Sequence, residues 1–178
     1  MVEESGKRVG PEVFEYFEKT VGPKVLPSLV RGLMKGVFEL DEVNRNTVLR
    51  HMGSACYEGF KEFLEPVTPG VDLDTAFEWL KRTVPHERRF HRAGDTVIWD
   101  GDMKATYGGC MCLLVRMGII EPAPELCVCS AHHCKSALEE LTGIQTEAEL
   151  VETVNSGADD CIYRFHLKPS AYNSRMGK

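Results

Sequence analysis

The stretch Thr96–Tyr107, T-V-I-W-D-G-D-M-K-A-T-Y, is where the chain changes period. Before it, apolar residues recur every three or four positions. Within it, β-branched and aromatic residues flank Asp-Gly, a pair that supplies the positive φ of tight hairpins. The stretch therefore reads as a strand over Thr96–Trp99, a turn at Asp100-Gly101-Asp102 and a second strand over Lys104–Tyr107. Cys110–Val115 would extend that second strand past a bulge at Gly108-Gly109.

Working back from this point, the chain is helical. Residues 1–9 read as a tail, and Gly10-Pro11 opens a helix with Val13, Phe14, Phe17 and Val21 on one face. Gly22-Pro23 breaks it. A second helix runs from about Val25 to Phe38, with Leu26, Leu29, Val30, Leu33, Met34, Val37 and Phe38 marking it as a core helix. Asp41 caps a third, whose stripe is Leu49, Met52, Cys56, Phe60, Phe63 and Leu64. Asp72 or Asp74 caps a short fourth helix carrying Phe77 and Leu80, and the basic run Lys81–Arg92 reads as a solvated loop.

Working forward, Ser130 caps a helix with Ala131, Cys134, Leu138 and Leu141 on one face and Gly143 as its stop. Gln145–Val154 and Cys161–Leu167 alternate as two strands joined near Ser156-Gly157. Helices followed by a small, mostly antiparallel sheet with a packed helix make an α+β fold. The expected organisation is one domain over residues 1–178: a helical portion over 10–83, a cysteine-rich α+β portion over 94–168 and a tail over 169–178.

Composition narrows the function classes. A chain of 178 residues suits a single core, and 43% hydrophobic with 27% charged residues is ordinary for a globular protein. A net charge of −6 argues against nucleic acid, whose binders carry a basic footprint. No run reaches the roughly 18 to 20 apolar residues of a membrane helix, and the start lacks the apolar core of a signal peptide. The expected location is the cytoplasm, where seven cysteines are thiols or metal ligands rather than a disulfide framework. Walker loops, dinucleotide glycine motifs and nucleophile elbows are absent, and His86 and His91 are spaced wrongly for H-E-x-x-H.

Five cysteines crowd into residues 110–134: the pairs Cys110/Cys112 and Cys127/Cys129, then Cys134. Cys127 and Cys129 stand just before the helix expected at Ser130, whose positive end favours thiolate. On the last hairpin Ala148, Leu150, Glu152 and Val154 share a face, as do Cys161, Tyr163, Phe165 and Leu167. A two-residue Ser156-Gly157 turn would set Glu152 opposite Cys161, whereas a one-residue slip in register would turn Glu152 outward as an exposed strand residue. Cys110, Cys112, Cys127, Cys129, Glu152 and Cys161 are thus eligible zinc ligands, and four thiols would also suit an iron–sulfur cluster. The opposing reading is that these are small buried residues. Cys56 and Cys134 read as core thiols, and His132 and His133 as solvent-facing helical histidines, with a base beside Cys129 as the alternative.

Met52-Gly53-Ser54-Ala55-Cys56, the strand ending at Trp99, C-x-C-L, C-V-C-S-A and the closing V-E-T-V-N-S-G-A-D-D-C-I-Y-R-F together resemble proteins related to L-2-amino-thiazoline-4-carboxylic acid hydrolase. The C-terminal half is similar to the 4-vinyl reductase domain, a ligand-binding α+β module. The resemblance spans roughly residues 25–168. It implies zinc ligands at Cys129, Glu152 and Cys161, and this chain has Asn155 where a further cysteine would be expected. The resulting expectation is a cytoplasmic protein that binds a small organic molecule beside a structural zinc site, with a second copy of the chain as a further partner. The alternatives are a hydrolase of a small heterocyclic or amide C–N bond, and an iron–sulfur redox or scaffold protein.

Overall fold

The computed structural model describes residues 19–20, 22–64, 66, 68–83, 88–101, 104 and 108–168. Most of the helix expected over 10–21, the tails and most of Lys104–Tyr107 lie outside the described residues. Helices α1 (Gly22–Glu39), α2 (Glu42–Lys61) and α3 (Leu73–Thr83) come first, followed by strands β1 (Arg88–Ala93) and β2 (Thr96–Gly101). A short α4 (Leu113–Arg116), the long α5 (Cys127–Thr142) and the strands β3 (Thr146–Glu152) and β4 (Cys161–Leu167) complete the described chain. This is the expected α+β order. All strand pairs are antiparallel, in the order β1-β2-β4-β3.

Local chemistry sets the helix ends. Asp41 Oδ1 accepts from Asn44 N at 3.0 Å, and Asp72 Oδ1 accepts from Thr75 N at 2.9 Å, so each satisfies an orphan N–H of a first turn. Gly143 stops α5 in the left-handed conformation, φ 67°, with its N–H on Glu139 O. Pro124 opens a 3-10 turn over Pro124–Leu126 that runs straight into α5. The helix therefore begins at Cys127, three residues before the expected cap at Ser130, and Cys127 and Cys129 lie inside its first turn.

The sheet differs from expectation around Asp100-Gly101. β2 continues through these residues and is bonded on both sides, to β1 and to β4. The hairpin instead turns at Gly94-Asp95, with Gly94 at φ 67°. Part of the basic run is therefore the edge strand β1, where Arg89 pairs with Asp100 at 2.9 Å. Cys110–Cys112 is irregular and Leu113–Arg116 is helical, not an extension of a strand.

The core lies between the sheet, α3 and α5. Val97 and Trp99 of β2, all four inward residues of β4 (Cys161, Tyr163, Phe165 and Leu167), Leu80 of α3, and Leu138 and Leu141 of α5 form one buried cluster. Each large apolar side chain buried there contributes about 1.5 to 3 kcal/mol before entropy. Helix α2 packs along α5 through Gly53, where a Cβ would overlap the Cys129 carbonyl oxygen and lie 2.8 Å from His132 Cβ. This close approach rotates the buried face to Leu49, Gly53 and Tyr57, leaving Cys56, Phe60 and Phe63 of the expected stripe exposed. α1 is likewise only half a core helix. Met34 and Val37 are buried, while Leu26, Leu29 and Leu33 face outward.

Candidate functional site

Three chain segments bring the cysteines together. After β2 the chain returns at Lys104, whose N–H bonds Asp159 O at 3.2 Å and whose ammonium meets the Asp159 carboxylate at 2.6 Å. Gly108 at φ 67° and Gly109 at φ 142° then turn it inward, a conformation that side chains resist, and deliver Cys110 and Cys112. The first turn of α5 supplies Cys127 and Cys129. Between β3 and β4, Thr153 and Ser156 cap a tight 3-10 turn reciprocally, and Asn155 sits within it.

Asn155 is the centre of the arrangement. Its amide nitrogen lies 3.4 Å from Cys110 Sγ, 3.4 Å from Cys127 Sγ and 3.3 Å from Ala123 O, so two N–H donors serve three acceptors. Cys127 is buried. That burial pushes its thiol up to about 11, against hydrogen bonds from Thr153 and Asn155 that pull it down, and neighbouring charge on Cys161 and Cys110 adds to the rise. Cys110 and Cys127 thus meet at Asn155, and Cys161 is electrostatically close to Cys127. A second group adjoins it: Cys129 is pushed up to about 12, first by burial and then by charge on Cys56, Cys112, Cys127 and Cys134. Burial likewise raises Cys112 and Cys56.

These environments reverse the thiolate expectation. A helix start favours the anion, but desolvation outweighs it, and Cys127 and Cys129 are neutral thiols at pH 7. None of the seven cysteines is in a disulfide. Cys134 is a buried core thiol, as expected, whereas Cys56 is exposed on α2 and joins the second thiol group. His132 is pushed down to about 4, by burial and then by Arg50 and Lys135, so it is a poor base. The His133 ring stands edge-on to Tyr57 and Phe60, at 5.7 and 5.9 Å between centroids.

Glu152 departs from its expected place. The connection to β4 is a 3-10 turn and an irregular loop, not a two-residue turn, and a bulge follows Leu150. Glu152 consequently pairs with Ile162 and is exposed, while Cys161 pairs with Gly101 across β4's other edge. Of the ligand set implied by the family resemblance, Cys129 is half-buried on α5, Cys161 is buried on β4 and Glu152 is exposed on β3. Among the described residues, no three His, Cys, Asp or Glu side chains stand in the arrangement of a metal site. Periodicity did not reveal Asn155 as the residue joining the thiols; its one signal was the family pattern's expectation of a cysteine there.

A cavity of about 500 Å³ opens over this group. Cys110 and Asn155 present its thiol and amide, Val115, Pro122 and Val154 its apolar walls, and Gly108-Gly109 and Arg116 its remaining lining. Such a volume is in the range of small-molecule sites, which combine apolar walls with a few convergent polar groups.

No family model matches the chain, and no curated protein matches it. Among solved structures, a trafficking protein particle complex subunit 3 from Naegleria fowleri, covalently bound to palmitic acid, is similar over 84% of this chain and 97% of its own, with 16% identity and a TM-score of 0.49. Among the described residues no helix is long and apolar enough to cross a membrane.

Proposed function

We propose that this chain is a cytoplasmic small-molecule-binding protein whose site is the cavity beside Cys110 and Asn155. The observation that carries the reading is the cavity itself, about 500 Å³ with a thiol and an amide converging on it from separate segments. The segments differ in role: Gly108-Gly109 set the backbone path of one wall, and the capped turn Thr153–Ser156 fixes Asn155 in the other. A cysteine and a carboxamide suit recognition of an organic ligand through weak sulfur contacts, hydrogen bonds and packing. In the same reading the protein acts as a homodimer.

The test is binding of small organic fragments by ligand-observed NMR to the natural chain and to Val154→Trp, which fills the cavity. Binding that vanishes in a folded Val154→Trp protein supports the site. Equal binding by both proteins refutes it.

One observation favours zinc as a second reading. The Asn155 NH2 group, a partial positive charge, already stands 3.4 Å from two sulfurs, and Cys161 is electrostatically close to one of them. To hold the ion, Cys110, Cys127 and Cys161 would have to draw closer together than in the arrangement described, and binding would ionise the thiols and tie the two loops together. Metal analysis of protein purified without added metal should then find about one equivalent of zinc, and below about 0.2 equivalents this reading fails.

A further inference from the structure

Cys110 and Cys127 come from separate segments yet share one hydrogen-bond donor. Asn155 Nδ2 stands 3.4 Å from each sulfur, so the two sulfurs are no farther apart than twice that, 6.8 Å. A disulfide brings its sulfurs to about 2.05 Å. Passing from one staggered rotamer to another moves a cysteine sulfur by about 3 Å, so rotation of both side chains covers most of the gap. Give in the loop supplies the rest. Cys110 lies in the irregular segment between Gly109, at φ 142°, and α4, whereas Cys127 is fixed as the first residue of α5. The neighbouring thiols are placed differently. Cys161 belongs to the packed core on β4, and Cys112 and Cys129 pack against the cluster of Met34, Leu49 and Leu126. Cys110 is the cysteine that lines the cavity.

We infer that Cys110 and Cys127 are a redox pair, which a hydroperoxide entering the cavity converts to a disulfide. The reaction runs in two steps. Cys110 Sγ attacks the outer peroxide oxygen and the O–O bond breaks. Two electrons pass from sulfur to oxygen, and the leaving oxygen takes the thiol proton, giving a sulfenic acid at Cys110 and an alcohol, or water when the oxidant is hydrogen peroxide. Cys127 Sγ then attacks Cys110 Sγ; the S–O bond breaks and the hydroxyl leaves with the Cys127 proton as water. Two thiols and one hydroperoxide thus give one disulfide, one alcohol and one water. Cys110 meets the oxidant because it lines the cavity, and Cys127, which is buried, answers from within reach. The Asn155 amide donates to both sulfurs and so favours the negative charge that develops on either. The new bond draws Cys110 from the cavity wall toward α5, which weakens binding of a small molecule there. That consequence rests on the reading of the cavity as a binding site, whereas the disulfide does not.

The experiment exposes the full chain, reduced beforehand, to a slight excess of hydrogen peroxide, alkylates the remaining thiols and maps the peptides by mass spectrometry. The natural protein loses two of its seven free thiols and yields a Cys110–Cys127 linked peptide that dithiothreitol releases. Cys127→Ser stops at the Cys110 sulfenic acid, trapped by a cyclic 1,3-diketone, and Cys110→Ser gives neither product. Circular dichroism verifies the fold of each variant. If the buried Cys127→Ser does not fold, Cys110→Ser, at a half-buried loop position, carries the comparison with the natural chain. Absence of the linked peptide from the natural protein, or an equal loss of thiols in Cys110→Ser, overturns the pair. Fragments that bind the reduced protein bind the oxidised protein about tenfold more weakly. Equal affinity for the two forms overturns the effect on the site, while a reduced protein that binds no fragment refutes the binding reading and leaves the disulfide standing.

Discussion

Gly53→Ala should destabilise the protein although the position lies in the middle of a helix. In an isolated helix the change from Gly to Ala is favourable by about 0.5 to 1 kcal/mol, because Ala loses less backbone entropy. At Gly53, however, the added methyl group would overlap the Cys129 carbonyl oxygen and stand 2.8 Å from His132 Cβ and 3.0 Å from His133 N. Two of those three atoms are backbone, so no side-chain rotation relieves the contact and α2 must part from α5. Overpacking of this kind costs about 1 to 3 kcal/mol, enough to outweigh the propensity gain and leave a net loss of about 1 to 2 kcal/mol. Gly59→Ala is the internal control: it lies on the same helix, exposed, with nothing within 4 Å of its Cβ. Thermal unfolding followed by circular dichroism reads both, at about 2 to 4 °C per kcal/mol for a chain of this size. Gly53→Ala lowers Tm by several degrees and Gly59→Ala leaves it unchanged or raises it. If the two variants shift Tm equally in the same direction, the α2–α5 contact is not the one described.

The other predictions concern groups around the thiols. His132 is half-buried and pushed down to about 4 from 6.5, by burial and by Arg50 and Lys135 against an opposing Glu139. Its neutral form is therefore the folded one, so the stability it contributes is present above pH 6.5 and is lost as pH falls through 4; His132→Gln should flatten that part of a stability profile measured by urea unfolding from pH 7 to 4. Thr153→Val removes the buried hydroxyl that accepts from Ser156 N at 3.2 Å and leaves the turn uncapped, for a loss of about 1 to 2 kcal/mol. An unchanged urea midpoint in that variant would show that the capped turn does not hold Asn155 in place.

The α+β order was legible because the helical half repeats at three and four residues and the last strand alternates strictly. All of Cys161, Tyr163, Phe165 and Leu167 are buried. Asp41, Asp72 and Gly143 were readable because a cap is local chemistry. β1 was not, since R-R-F-H-R-A is a polar edge strand with only Phe90 and a terminal alanine to signal it. Asp100-Gly101 looked like a hairpin because Asp-Gly permits a tight turn without requiring one, and pairing on both edges of β2 keeps it extended. The stripe on α2 was misplaced for a similar reason. Its packing centres on a glycine, which carries no apolar side chain for a periodicity search to find.

The thiol site shows the same division. Crowding within residues 110–134 pointed to Cys110 and Cys127, but which sulfurs share a neighbour depends on the path of the Gly108-Gly109 turn and on an eight-residue connection that no spacing rule describes. The register error that set Glu152 opposite Cys161 came from assuming a two-residue turn; the capped 3-10 turn displaces Glu152 and places Asn155 among the thiols. The thiolate expectation failed because a helix dipole acts over one turn in competition with desolvation, which wins at buried sites.

The central claim, a small-molecule site beside Cys110 and Asn155, is tested most directly by protein-observed NMR with a library of small organic fragments. The account predicts that binders shift the backbone amide signals of Gly108, Gly109 and Cys110 together with the side-chain amide of Asn155, and that these shifts saturate. Binders that move only signals elsewhere on the protein, or none that move these four at about millimolar concentration, the weak limit of specific recognition, would contradict it.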